Sequence, residues 1–207
     1  KYQVTSWFYD ILDYPWERQY RRWRPSLLED VTGSVLEAGV GTGRNLRCYR
    51  PEVRLTAIDL SPGMMRIAKR RARKAACTIR FLCLDATRLS GVPPNHFDWY
   101  LATFLFCVMP DELQPAALAE MVRVLKPGGR FKILEIIYSN HPHLLKRQKL
   151  LAPFVERVYG ARFDRHTLEH LRQNDGVEVS QTRFLKADTY LLIEGCKRGA
   201  ESAEPAS

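Results

Sequence analysis

Residues 34–46 read SVLEAGVGTGRNL, an acid at Glu37 followed by glycines at alternate positions, Gly39, Gly41 and Gly43. Glycines so spaced let the backbone turn sharply and bring main-chain N–H groups against a ligand with no Cβ in the way. A helix opening after Gly43 would aim its positive end at the same point. A second acid, Asp59, ends the β-prone run of residues 54–58. It stands roughly 20 residues beyond Glu37, a separation that suits a carboxylate accepting hydrogen bonds from both hydroxyls of a ribose. Ser61-Pro62 then reads as an N-cap with proline at the first helical position. A glycine cluster alone also makes ordinary turns, and a strand-end acid alone also caps helices. Together they read as a nucleoside-binding loop.

The elements that would hold these residues alternate between strand and helix. Apolar runs at residues 34–36, 54–58, 78–84, 97–108 and 130–137 predict strands, the fourth apolar enough to be central in a parallel sheet. Residues 63–76 and 115–125 predict helices between them, and Lys126-Pro-Gly-Gly129 predicts a turn before the fifth strand. Beyond it, residues 144–158 predict a basic amphipathic helix and residues 165–173 another. Residues 177–185 and 189–196 predict two antiparallel strands. A helix from about Pro15 would put Trp16, Tyr20 and Trp23 on one face and Arg18, Arg21, Arg22 and Arg24 largely on the rest. That helix is either a lid packed on the domain or a membrane-interface helix.

The segments Leu36-Glu-Ala-Gly-Val-Gly-Thr-Gly43, Ala57-Ile-Asp-Leu-Ser61, Leu84-Asp85-Ala86 and Leu125-Lys-Pro-Gly-Gly-Arg130 come in that order. In that order they resemble the motifs of class I S-adenosylmethionine-dependent methyltransferases. The resemblance runs from about Tyr9 to Ile137. Arg44 stands where a dinucleotide-binding G-x-G-x-x-G opening at Gly39 would place its third glycine, so the implied cofactor is S-adenosylmethionine, not NAD. The implied fold is an α/β Rossmann-like three-layer sandwich with a seven-stranded, mostly parallel sheet. The expected organisation is a lid or membrane-contact segment over residues 1–30, the donor-binding domain over residues 31–198 and a disordered tail over residues 199–207. The implied donor site takes Glu37, Gly39, Gly41, Gly43, Asp59, Leu60, Met64, Asp85, Ala86 and Thr103. Within it Asp85 would bind the adenine amine, and Leu60, Met64 and Ala86 would wall the ring. Thr103, Phe104 and Phe106 would line the donor sulfur, where an aromatic face attracts a cation.

Phe8-Tyr9-Asp10 resembles the opening of ubiquinone/menaquinone-type and phospholipid methyltransferases, which implies that Tyr9 closes over the donor. Tyr138, His141 and His143 follow the fifth strand where an acceptor should lie, and a histidine titrates near neutrality. In phospholipid methyltransferases the same region would hold the lipid phosphate, here through Tyr138, His141, Lys146 and Arg147. The catalytic candidates are therefore Tyr9, Tyr138 and His141.

At 207 residues, 24.0 kDa and 45% hydrophobic residues, the chain suits one α/β domain. No apolar run is long enough to cross a membrane, and no secretory leader is legible. The cysteines Cys48, Cys77, Cys83, Cys107 and Cys196 lack metal-ligand spacing and read as reduced thiols, giving a cytoplasmic expectation with no metal. A net charge of +9 attracts phosphate-bearing partners. The resulting expectation is a monomer or weak dimer at an anionic membrane surface, methylating a lipid or other amphiphile, above all phosphatidylethanolamine. Polyprenyl-quinone precursors, small thiols and natural products are the alternatives. RNA is disfavoured because Phe104-Leu-Phe-Cys107 stands where an Asn-Pro-Pro-Tyr-like element would be needed. A non-catalytic binding module conflicts with the intact glycine loop and Asp59.

Overall fold

Parallel strands buried on both faces need near-continuous apolar runs, and the central runs of this chain supply them. The strands are β1 (Ser34–Ala38), β2 (Arg54–Asp59), β3 (Thr78–Cys83), β4 (Phe97–Thr103), β5 (Leu125–Ile136), β6 (Val177–Phe184) and β7 (Tyr190–Lys197). The computed structural model describes residues 14–199, with side chains from residue 20 onward. Tyr9, the Trp16 side chain and the tail beyond residue 199 lie outside the described residues.

One sheet joins the strands in the order β3-β2-β1-β4-β5-β7-β6. The first five are parallel, and β7 runs antiparallel to β5 and β6. This is the expected seven-stranded, mostly parallel Rossmann-like sheet. Every residue of β1 is buried, whereas β3 at one edge is half exposed and β6 at the other is largely exposed. Two apolar clusters cover the faces. One gathers Tyr100, Phe131, Ile133, Leu118 and Met121 around α3 (Gln114–Val124). The other gathers Val35, Leu55, Trp99, Leu101 and Leu192 under α1 (Tyr14–Leu28) and α2 (Pro62–Arg71). Ser61 caps α2 as expected, its Oγ accepting from Met64 N at 3.3 Å with Pro62 at the first turn. Beyond β5 lie α4 (Pro142–Tyr159), closed by Gly160 in the left-handed region, and α5 (Thr167–Arg172). The end of α1 is tied to the sheet by buried Lys132, which donates to Leu27 O at 3.0 Å and to Asp30 Oδ1 at 2.6 Å. Among the described residues, no helix is long and apolar enough to cross a membrane.

Four expectations need correction. No α-helix follows the glycine loop: only the 3₁₀ turn Leu46–Cys48 forms, Tyr49 is already extended, and Pro51 follows. Proline and the residue before it disfavour helix, so no α-helix continuing from Gly43 presents its dipole to the loop. The fourth strand stops at Thr103 instead of running to residue 108, because Phe104 adopts φ +58° and turns the chain into the 3₁₀ helix Phe106–Val108. The run 126–129 is a bulge within β5: Leu125 pairs with Phe97 and Arg130 with Trp99. Finally, α2 ends at Arg71 and continues only as the 3₁₀ turn Ala72–Lys74.

Candidate active site

The carboxyl ends of β1, β2 and β4 open into one crevice of about 860 Å³. Small-molecule sites occupy roughly 300–1,000 Å³ and favour this edge of an open α/β sheet. Its floor is the loop after β1. Gly39 and Gly41 have φ of +69° and +54°, the left-handed region that side chains rarely adopt. A Cβ on Gly39 would meet the Leu105 side chain at 2.9 Å. A Cβ on Gly41 would point into open space, meeting only Gly39 O at 3.9 Å. That open space lies on the crevice wall. Gly43 does different work: it is buried against α2, where a Cβ would meet Leu46 at 2.7 Å and Ala68 at 2.9 Å.

Without a following helix, other elements hold this loop. Arg71 of α2 donates to Thr42 O at 3.0 Å. Arg24 of α1, itself buried and lining the crevice, donates through Nε to Asn45 Oδ1 at 2.7 Å. Asn45 Nδ2 in turn donates to Glu37 Oε1 at 2.7 Å and to Thr103 Oγ1 at 3.2 Å. Glu37 Oε2 accepts from the Tyr49 hydroxyl at 2.9 Å. Glu37 is thus sealed behind the loop and does not line the crevice. Burial pushes its carboxyl up from 4.5 to about 7, against the lowering pull of Asn45, Tyr49 and Arg24.

Asp59 does line the crevice. Its Oδ2 accepts from Gly41 N and its Oδ1 from Ser61 N, both at 2.8 Å. Burial raises its pKa, and those two backbone N–H groups lower it. Each carboxylate oxygen retains a lone pair for a further donor. Leu60, 67% exposed, lies beside it on the wall with buried Met64 and Ala86. Asp85 lines the same end, and its Oδ1 accepts from Thr87 N at 2.8 Å and Thr87 Oγ1 at 2.7 Å. That closes a turn, and no helix follows it for Asp85 to cap.

The other half of the crevice is apolar. Phe104, Met109, Leu113, Leu144, Leu151, Val155, Phe163 and Tyr190 contribute to it. Tyr20 of α1 closes over Phe104 with ring centroids 4.8 Å apart and meets Tyr190 at 5.7 Å, and Trp23 meets Tyr190 at 5.1 Å, so these two rings of α1 pack on the domain. The turn that builds this wall is fixed from behind. Phe104 N donates to Leu134 O at 2.8 Å, Phe106 N to Glu135 Oε1 at 3.1 Å, and Gln114 Nε2 to Phe106 O at 3.0 Å. Thr167 Oγ1 completes the set by donating to Gln114 Oε1 at 2.9 Å. Glu135 is buried, with Oε2 lacking a hydrogen-bond partner, and burial pushes its carboxyl up to about 8.

Of the anticipated site residues, Gly39, Gly41, Asp59, Leu60, Met64, Asp85, Ala86 and Thr103 meet on the crevice wall, whereas Glu37 and Gly43 support it from outside. Phe104 lines it, but Phe106 is wholly buried in the core beneath. Tyr138 and His141 are not brought there. Tyr138 stacks on Phe163 at 5.3 Å, one ring behind the wall. His141 is exposed at the start of α4, its N–H held by Ser139 Oγ at 3.0 Å. His143 and Lys146 are exposed as well, while Arg147 reaches the wall. Among the described residues no cluster of histidine, cysteine and acid could hold a metal ion. Arg24, Asn45, Gln114 and Glu135 were missed; only Glu135, an acid inside the apolar run FKILEII, carries a visible signal.

Residues 35–129 match a family model described as a methyltransferase domain. A demethylmenaquinone methyltransferase of Renibacterium salmoninarum is 36% identical over 148 residues, 69% of this chain and 55% of that protein. A phosphatidylethanolamine N-methyltransferase of Cereibacter sphaeroides is 33% identical over 148 residues, 71% of each. The chain therefore spans just over half the length of the first relative and more of the second. Among solved structures, N-methyltransferase NodS of Bradyrhizobium japonicum in complex with S-adenosyl-L-homocysteine superposes with a TM-score of 0.63. At 20% identity, over 87% of this chain and 86% of that one, it shares the fold. The chain belongs to the S-adenosylmethionine-dependent methyltransferases.

Proposed function

We propose that this protein transfers the methyl group of S-adenosylmethionine to the amine of an amphiphile, with phosphatidylethanolamine as the favoured acceptor. The described residues fit the donor. Asp59 keeps a lone pair on each oxygen for the ribose hydroxyls, Gly41 leaves open space at the loop, and Leu60, Met64 and Ala86 offer apolar contact for a purine beside Asp85. When bound, S-adenosylmethionine supplies an activated methyl, its sulfonium–carbon bond breaking as the acceptor's lone pair forms the new bond. The protein's work is alignment and exclusion of water. Tyr20, in the lid helix α1, closes the crevice over Phe104. Tyr138 and His141 receive no step.

One observation carries the choice of an amine. The acceptor half is apolar and aromatic, with Arg147 and Lys186 among its cations and no carboxylate or histidine among its described lining residues. Nearby positive charge and apolar walls favour a neutral amine, which attacks through its own lone pair and releases its proton to water afterwards. The same two cations suit a lipid phosphate. The second reading is a demethylated quinol, whose ring would stack within the Tyr20–Phe104–Tyr190 group. Its activation at carbon calls for a base, and the described lining residues of this half include no carboxylate or histidine to serve as one. The test is mass spectrometry of phosphatidylethanolamine and of a demethylated quinol, each in mixed micelles with S-adenosylmethionine and the protein. Methylated ethanolamine lipid supports the proposal; methylated quinol with unchanged ethanolamine lipid refutes it.

A further inference from the structure

Helix α4 has 18 residues and not one of them is buried. A helix that borders the core ordinarily hides a stripe, so its two faces need separate explanations. Leu144, Gln148, Leu151, Val155 and Tyr159, spaced by three and four residues, line the crevice. The opposite stripe carries Lys146, Leu150, Phe154 and Arg157, with Lys149 beside it. Leu150 is 80% exposed and Phe154 55%, the two most exposed large apolar side chains of the helix. Leu151, 45% exposed, belongs to both surfaces, so the apolar patch runs over the helix into the acceptor half of the crevice. The helix holds four cations, Lys146, Arg147, Lys149 and Arg157, against one acid, Glu156. That acid faces Arg162 at 3.6 Å.

We propose that the outer face of α4 docks on an anionic phospholipid bilayer, with Leu150 and Phe154 entering the headgroup–acyl boundary while the flanking lysines and arginine meet lipid phosphates. Two exposed apolar side chains among cations of one sign are the composition of an interfacial helix, and long basic side chains keep their charge at headgroup level as their stems pack beside apolar neighbours. Docked so, α4 sets the acceptor half of the crevice beside the bilayer, and a lipid reaches it along Leu151 without its chains crossing water. This assignment rests on the amphiphilic-acceptor reading above and names the surface from which that acceptor is drawn. It moves the membrane contact to α4, since Tyr20 and Trp23 of α1 turn inward onto Phe104 and Tyr190.

The experiment is co-sedimentation of the full chain with phosphatidylglycerol–phosphatidylethanolamine vesicles and with phosphatidylcholine vesicles. It uses the wild type, the pair Leu150→Asp/Phe154→Asp and the pair Lys146→Glu/Lys149→Glu. None of these four side chains lines the crevice. The expected result is binding to the anionic vesicles only, reduced at least tenfold in each variant, with unchanged thermal unfolding and S-adenosylhomocysteine affinity. Vesicle binding that both pairs leave intact, or no vesicle binding by the wild type, overturns the proposal. So does a dimer that sediments as monomer in the Leu150/Phe154 pair, which would give the face to a second copy. RNA binding lost in the lysine pair, with vesicle binding retained, overturns it as well. Methyl transfer to micelle-dispersed lipid separates the two readings. Transfer in micelles with α4-independent vesicle binding removes the docking face alone, whereas α4-dependent binding with no lipid methylated in either form removes the acceptor reading alone.

Discussion

Replacing Glu37 by glutamine should stabilise the protein above neutral pH and change little in acid. Glu37 is 1% exposed near the carboxyl end of β1, its oxygens engaged by Asn45 Nδ2 and the Tyr49 hydroxyl. Burial, the largest cause, raises its pKa from 4.5 to about 7, with the charge of Asp59 a smaller push in the same direction. A carboxyl whose pKa is raised on folding holds its proton more tightly in the native state. Its contribution is complete below the unfolded value and is lost as pH rises through the folded one. A rise of that size corresponds to about 3 kcal/mol. Glutamine is neutral throughout; its Oε1 keeps the Asn45 donor and its amide N–H meets a Tyr49 hydroxyl turned to accept. The stability difference between Glu37→Gln and wild type should grow by about 2–3 kcal/mol between about pH 5 and about pH 8.5. Urea unfolding at several pH values measures it. Glu135, which titrates near 8 by the same cause, is present in both proteins and cancels in the difference. A difference that stays flat with pH, or that turns against glutamine as pH rises, refutes the reasoning.

Other perturbations probe the crevice directly. Gly41→Ala forces a side chain into φ +54° and aims its methyl at the open space of the loop, so calorimetry should show donor affinity falling by about tenfold or more. Arg24→Ala strips Asn45 Oδ1 of its buried donor, at a cost of about 1–3 kcal/mol in unfolding free energy. It also removes the cation that lowers Glu37, so the pH-dependent loss of stability should move to higher pH. His141→Ala and Tyr138→Phe alter groups outside the crevice wall, and initial rates should stay within about threefold of wild type.

The donor half was legible because its signals are local. Gly39 and Gly41 declare a tight turn by their type, Asp59 ends a visible strand, and Ser61-Pro62 announces a helix that does form. What escaped lies in long-range contacts. Arg24 meets Asn45 across 21 positions and Glu135 meets Phe106 across 29, pairings that no local pattern carries. The helix expected after Gly43 failed locally instead, as Pro51 cut the run short before a full turn could propagate. His141 looked catalytic by chain order alone. The loop that carries it is pinned elsewhere: Ser139 N donates to Gln148 Oε1 at 2.7 Å and Asn140 N to Asp188 Oδ2 at 2.6 Å. Those anchors leave the imidazole outside the crevice wall. The fourth strand was read too long because Phe104, Leu105 and Phe106 are as apolar as strand residues. Their conformation is set by Glu135 and Gln114 from other elements.

In the proposed function one crevice holds the donor by its ribose at Asp59. The most direct measurement is calorimetric titration of wild type and Asp59→Asn with S-adenosylhomocysteine, which binds without reacting. Asparagine keeps the shape of Asp59 but loses its charge and one acceptor oxygen. Ribose hydrogen bonds to a charged group contribute about 1.5–3 kcal/mol each. The predicted result is one site per wild-type chain and affinity lowered by about 10- to 100-fold or more in the variant, with the fold intact by circular dichroism. Equal affinity in the two proteins, or no binding by the wild type, would contradict it.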